Sequence, residues 1–324
     1  MADVRYTHGT EVYVVRACYH EDGTDLLAVG GAHSVEVLMV TSELCKCIAS
    51  FHIGTRITAL AWSSKVTSPS VSDVWSIDRA GADRELFLLS KSSGDDEHIF
   101  QFGGGMTGHH GKCNGVSSRP QPTVYVVAFP HPLTSVNSHP TTSKELLVSD
   151  CRGSIFLTDW RTEWEENEHD AWKNSSVVEL IEPRALASPV IGVKSRWTGS
   201  VSWRRDSVDT VGAVYGSRFS IWDMGTSKAA NPPSRARAFP RAARSFGTWC
   251  PTYHEYFAIA SGSPAKGAAI HLHNANYINA VPTVLGIAPH PQYVRTFDWL
   301  AGKTIPRIAA GVGREVVIFY IGTE

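Results

Sequence analysis

Apolar and polar positions along this chain alternate with a period of two, in short runs broken by Gly, Asp, Asn and Pro. That period belongs to β-strands, and no long stripe with the 3.6-residue period of a helix is present. One unit recurs, and a repeat decides the architecture. It opens with an alternating strand that ends in an aromatic: ITALAWS (57–63), VYVVAFPHP (124–132), GSVSWRR (199–205) and YVRTFDWL (293–300). RSFGTWCP (244–251) is a weaker copy, and EVYVVRACY (11–19) takes the first position. A second strand of small and apolar residues follows: LLAVGG (26–31), ELLVSD (145–150), TVGAVYG (210–216), YFAIASG (256–262) and RIAAGVG (307–313). A tight turn then leads to a third: SVEVLMV (34–40), SIFLTDW (154–160), RFSIWDM (218–224) and EVVIFYI (315–321).

Each second and third strand read as a hairpin with one face buried. The repeat looks like the blade of a WD40-type β-propeller, four strands in about 40–45 residues. The positions carrying the pattern are Trp62, Asp150, Gly153, Asp159, Trp160, Trp203, Trp222, Asp223, Trp249 and Trp299. The indole covers the core between blades, and the carboxylate anchors a neighbouring turn. The expected fold is all-β, with six complete blades and a fragment of a seventh. The fragment falls at 103–123, where GHHGKCNGV resembles the opening of a blade that no second or third strand completes. Val4–Thr7 is placed to supply the outer strand of the last blade and remove the open edge. The expectation is one circular domain over 1–324.

Composition adds exclusions. Thirty basic residues stand against 31 acidic ones, a formal net charge of -1, which argues against bulk binding to nucleic acid or anionic membrane. No stretch approaches 18 consecutive apolar residues, so no membrane-spanning helix is expected. The opening MADVRYTHGT lacks the apolar core of a signal peptide. Six cysteines, at 18, 45, 47, 113, 151 and 250, read as free thiols of a reducing compartment. At about 45 residues per blade, 324 residues are just over seven blades, but the loops 161–176 and 225–243 and the 103–123 connector use up part of that length, and what remains fits six full blades and a fragment.

Four segments carry a family resemblance: FHIGTRITALAWS (51–63), VGAVYGSRFSIWDM (211–224), FAIASGSPAKGAAIHLHN (257–274) and AAGVGREVVIFYI (309–321). The chain resembles, in a fungal-like form, the small WD-repeat nucleoporin of the Y-shaped outer-ring subcomplex of the nuclear pore. Members of that family are seven-bladed, so this chain departs by about one blade. The resemblance implies a non-catalytic scaffold at the nuclear envelope, serving transport of protein and mRNA. It would dock on the large nucleoporin that carries a propeller and a helical domain, beside other outer-ring nucleoporins. It implies no direct nucleic-acid contact, no membrane insertion, and a monomer within a hetero-complex. The alternative is a generic WD-repeat adaptor that reads a peptide or histone tail at the channel mouth.

Little in the sequence speaks for chemistry. No catalytic residue, cofactor or metal is expected. Cys45 and Cys47 share a face of an extended stretch, but no partner ligands stand at metal-binding spacing. His109-His110 and His271-x-His273 read as structural, since family blades bond loop histidines to backbone. Gly103-Gly104-Gly105 lacks the Lys-Ser or Lys-Thr of a phosphate loop, no Gly-x-Ser-x-Gly is present, and Asn174-Ser175-Ser176 reads as an unused glycosylation acceptor.

Two charged segments are the candidate partner contacts. The acidic loop 161–176 sets Trp164 and Trp172 among Glu165, Glu166 and other acids. The Pro-rich basic loop 225–243, running toward Arg244, carries Arg235, Arg237 and Arg241. VVELIE (177–182) follows the acidic loop as a fourth strand.

Overall fold

The computed structural model describes residues 3–63, 65–82, 86–101, 129, 131–141, 145–151, 153–159, 177–180, 182, 199–207, 209–215, 218–224, 233, 235–238, 243–261, 267–302 and 305–322. Among them the chain is all-β apart from one 3-10 turn at Glu21–Gly23.

The strands form six four-stranded antiparallel sheets. From the inside outward, sheet I is β2 (Val14–Ala17), β3 (Leu26–Gly30), β4 (Ser34–Val40) and β5 (Cys45–His52). Sheet II is β6 (Ala59–Trp62), β7 (Ser76–Ala82), β8 (Leu86–Ser92) and β9 (His98–Gln101). Sheet III is β10 (Leu133–Ser138), β11 (Glu145–Asp150), β12 (Ile155–Asp159) and β13 (Val177–Leu180). Sheet IV is β14 (Ser200–Trp203), β15 (Thr210–Tyr215), β16 (Arg218–Asp223) and β17 (Arg235–Ala238). Sheet V is β18 (Ala243–Trp249), β19 (Tyr256–Ser261), β20 (Ala268–Asn274) and β21 (Thr283–Ala288). Sheet VI is β22 (Val294–Trp299), β23 (Arg307–Val312), β24 (Glu315–Tyr320) and, outermost, β1 (Val4–Thr7). Val4 lies opposite Ile318 and Thr7 opposite Glu315, so the first strand completes the sheet that the last strands begin. The arrangement is consistent with a β-propeller.

The core lies between sheets. Five apolar clusters fill the joints I–II, III–IV, IV–V, V–VI and VI–I. Sheet IV shows how one strand serves two joints, because successive side chains leave a strand on opposite faces. Val211, Ala213 and Trp222 face sheet III, while Val214, Phe219 and Ile221 face sheet V. The hairpins are therefore buried on both faces where joints meet them, and every residue of β3 is buried. This corrects the reading of one buried face: a sheet between two others behaves like a doubly covered one. At Gly30 a Cβ would stand 2.6 Å from Val14 and 2.7 Å from Ile57, so only glycine lets sheets I and II approach this closely.

The innermost strands run parallel to their neighbours and are joined by side chains. Thr296 Oγ1 and Asp298 Oδ2 on β22 accept the backbone N–H groups of Val15 and Ala17 on β2, at 3.2 and 3.1 Å. Ser135 Oγ and Asn137 Oδ1 on β10 accept those of Val201 and Trp203 on β14, at 3.5 and 3.4 Å. Polar side chains thus satisfy edge donors that no backbone ladder reaches.

The inner strand of sheet III is Leu133–Ser138 and not VYVVAFPHP (124–132), the segment that the alternating pattern selects. Residues 124–128 lie outside the described residues, as do 103–123 and 161–176. Leu-Thr-Ser-Val-Asn-Ser reads as a loop by composition, yet its Ser and Asn are the acceptors the joint requires.

Candidate functional site

The sequence-singled tryptophans are joint fillers. Trp203, Trp222, Trp249 and Trp299 are all buried. Trp222 packs with Leu147, Ile155 and Leu180 across the III–IV joint, and Trp299 sits in the V–VI joint. Trp62 is half-buried and donates its indole N–H to the Arg16 carbonyl at 3.1 Å, tying sheet II to sheet I. Asp150, fully buried, accepts the Ser154 N–H at 2.9 Å and holds the β11–β12 turn, in which Gly153 adopts φ +89°. Asp223 lies at the end of β16 opposite Thr210. Asp159 ends β12 opposite Glu145, and Trp160 lies outside the described residues.

Two buried histidines form clasps of one design. His8 Nδ1 accepts the Thr10 N–H at 3.0 Å, and its Nε2 lies 3.6 Å from Glu36. His139 Nδ1 accepts the Thr141 N–H at 3.2 Å, and its Nε2 lies 3.6 Å from Glu145. Each ring also has the threonine hydroxyl 3.3 Å from Nδ1, the outline of a hydroxyl–imidazole–carboxylate triad. The chemistry does not follow from the outline. A lone pair engaged by a backbone N–H is not available as a base, and Nε2 of His8 meets the Ser34 hydroxyl at 3.3 Å before it meets Glu36. The same arrangement in two unrelated loops marks a turn-holding device. His139 also meets Trp203 edge-on at 4.7 Å, within a cleft of about 320 Å³ shared by Glu145, Asp209 and Met224.

Cys45 and Cys47 pack side by side against the VI–I joint. Burial pushes the Cys45 thiol up to about 12, helped by Cys47. Burial and then the Glu36 charge raise Cys47. Burial and a hydrogen bond to Glu36 also hold the Tyr6 hydroxyl above the usual phenol range. Thiols of this kind are protonated at neutral pH and make poor nucleophiles. No group of three or more His, Cys, Asp or Glu among the described residues is placed to hold a metal. No helix among them is long and apolar enough to cross a membrane.

The candidate partner contacts fare unevenly. Trp164, Glu165, Glu166, Trp172 and Arg241 lie outside the described residues. Arg235 and Arg237 lie on β17, opposite Ile221 and Phe219, and Arg244 lies on the inner strand β18. The basic segment is therefore not a loop throughout. Arg-Ala-Arg-Ala has the period of a strand, and charge on an outermost strand suits a sheet edge. That alternation was the signal missed.

The two ends of the central axis differ. Past the inner strands, Tyr19 from sheet I meets Arg205 from sheet IV, with the guanidinium carbon 3.5 Å from the ring centroid. The Tyr19 hydroxyl donates to Asp298 Oδ1 at 2.8 Å and to the Trp299 carbonyl at 2.9 Å. Arg204 grips Asp206 through two hydrogen bonds, at 2.7 and 2.8 Å. At this end contacts of Tyr19 tie sheets I, IV and VI to one another. At the other end, where the inner strands begin, Arg56 and Arg295 both lie over Tyr13. Sequence reading found neither cluster, because Tyr19 meets Arg205, and Tyr13 meets Arg56 and Arg295, across long separations in the chain.

No protein-family model matches the chain, and no curated protein matches it. Among solved structures it is similar to Raptor of Chaetomium thermophilum, with a TM-score of 0.64 and 11% identity over 99% of this chain. The chain spans 29% of the length of that Raptor chain. At this identity the likeness shows the fold alone. In all, 1007 solved chains match, and a fold so widely shared names no function.

Proposed function

We propose that the chain is a non-catalytic scaffold subunit of the nuclear-pore outer ring. It docks on the large nucleoporin that combines a propeller with a helical domain, and so supports nucleocytoplasmic transport. The supporting observation is the ordered family resemblance of four segments. Those segments hold structural positions in the fold: residues 211–224 take in the β15–β16 hairpin, 257–274 take in β19–β20, and 309–321 take in most of β23 and all of β24. In this reading the six sheets are six complete blades, and 103–123 is the remnant of a seventh. Buried joints give a rigid body whose work is to present surface, and no cofactor or catalytic residue is required. The subunit acts as a monomer within its complex, without inserting into membrane or contacting nucleic acid.

Co-purification of the tagged chain from cells tests this. The large Y-complex nucleoporin should co-elute, and the fluorescent fusion should mark the nuclear rim. Absence from the rim, with no outer-ring member recovered, would refute the reading.

A further inference from the structure

Among the described residues, the end at which the inner strands begin carries more positive charge than its carboxylates neutralise. Its centre is Tyr13, at the entry to β2. The Arg295 guanidinium lies 4.6 Å from the Tyr13 ring centroid and that of Arg56 lies 5.4 Å from it. Arg295 also reaches Tyr293, 5.7 Å from its ring and 3.2 Å from its hydroxyl. A third guanidinium, Arg314, donates to the Gly9 carbonyl at 2.8 Å, on the same Gly9–Tyr13 strap. One carboxylate answers them: Glu11, half exposed, 3.1 Å from Arg295 and 3.2 Å from the Tyr13 hydroxyl. Among the described residues, Arg56 and Arg314 have no carboxylate within ion-pair distance, and both are exposed.

Three arginines against one glutamate is a local surplus in a chain whose net charge is -1. The rings matter as much as the charge. A guanidinium stacked on an aromatic face keeps its N–H donors in its own plane, free to grip a carboxylate bidentately. Both guanidiniums lie near the Tyr13 ring, which limits the side-chain freedom to be lost on binding. Tyr13 and Tyr293, both half-buried, add apolar contact between the charges.

We propose that this mouth is a docking site for an acidic peptide segment of a partner protein. One carboxylate engages Arg56 and another competes with Glu11 for Arg295, and the peptide lies across Tyr13 and Tyr293. The chemistry is the opposite of what a histone tail needs, since a basic tail would meet like charge. A nucleic acid is the less fitting ligand, because three guanidiniums around one strap lack the extended basic track that a phosphate backbone follows. The site does not depend on the pore assignment: an acidic segment docks here whichever complex the chain joins.

The test uses the full chain and a fluorescein-labelled Glu-rich peptide, read by fluorescence anisotropy. The peptide should bind the wild type, more weakly as salt rises. Arg56→Glu should weaken binding by roughly tenfold or more, equivalent to about 1.4 kcal/mol. Arg56→Gln should lie between the two. Arg205→Ala, at the opposite mouth, should bind like the wild type. Thermal unfolding of each variant checks that the exposed substitutions leave the fold intact. Equal binding by wild type and Arg56→Glu would overturn the proposal, as would equal loss in Arg205→Ala. Tighter binding of a single-stranded oligonucleotide of matched charge would overturn it in favour of nucleic acid.

Discussion

The two mouths of the ring use the same two residue types, arginine and tyrosine, to opposite ends. At one, Arg205 covers Tyr19, Tyr19 donates to Asp298 and Trp299, and Arg204 is consumed by Asp206. Sheets I, IV and VI are tied there, and Asp298 itself is buried. At the other, Arg56 and Arg295 share Tyr13, and a single exposed glutamate, Glu11, pairs with Arg295 while Arg56 has no carboxylate among the described residues. The lesson is that stacking an arginine on a tyrosine does not by itself define a role. What decides is whether a guanidinium is left without a carboxylate: among the described residues Arg56 is, although the Tyr13 hydroxyl and Arg295 beside it already meet Glu11.

The comparison can be broken most forcefully at the closed end. Trp299→Ala empties a fully buried site in the V–VI joint and should cost about 3–5 kcal/mol in denaturant unfolding. Asp298→Ala removes the acceptor of the Ala17 N–H and the Tyr19 hydroxyl and should cost about 1–3 kcal/mol. A loss no larger than that of a surface substitution would mean that the closed mouth ties nothing together. Alkaline pH probes the VI–I joint. With its folded-state pKa raised from 9.0 to about 12, the Cys45 thiol is protonated, folded or unfolded, below pH 9. Above 9 the unfolded chain ionises first, so stability should fall as pH climbs toward 12. Cys45→Ala should lessen that fall in thermal scans at stepped pH. Arg205→Ala should cost only about 0.5–1 kcal/mol, the worth of an exposed cation–π contact. Smallest of all, Arg56→Ala should change stability by less than about 0.5 kcal/mol, because Arg56 is exposed and lies 5.4 Å from the Tyr13 ring, farther than Arg205 from Tyr19.

Reading the fold from sequence succeeded where a strand's side chains only pack. Ala59–Trp62, Tyr256–Ser261 and Glu315–Tyr320 are apolar runs, and they form strands where the pattern sets them. It failed where a strand's side chains bond to another strand. Ser135 and Asn137 belong to an inner strand because Val201 and Trp203 need acceptors, a requirement that exists only once sheets III and IV are side by side. The basic segment failed differently. Pro232, Pro233 and Pro240 drew it toward a loop, and the period of Arg235–Ala238 between them was overlooked. Neither cluster was legible, since Tyr13, Arg56 and Arg295 meet only where sheets VI, I and II stand side by side. The histidine clasps were legible in half. His8 and His139 each precede a threonine by two, but the paired glutamates, 28 and 6 residues further on, have no common spacing.

Hydrogen–deuterium exchange with and without the Glu-rich peptide tests the contrast between the mouths most directly. We expect protection confined to the segments around Gly9–Tyr13, Arg56 and Tyr293–Arg295, with exchange at Tyr19 and Arg205–Asp206 unchanged. Protection at Tyr19 and Arg205 instead, or spread evenly over both ends, would contradict the assignment of one mouth to structure and the other to binding.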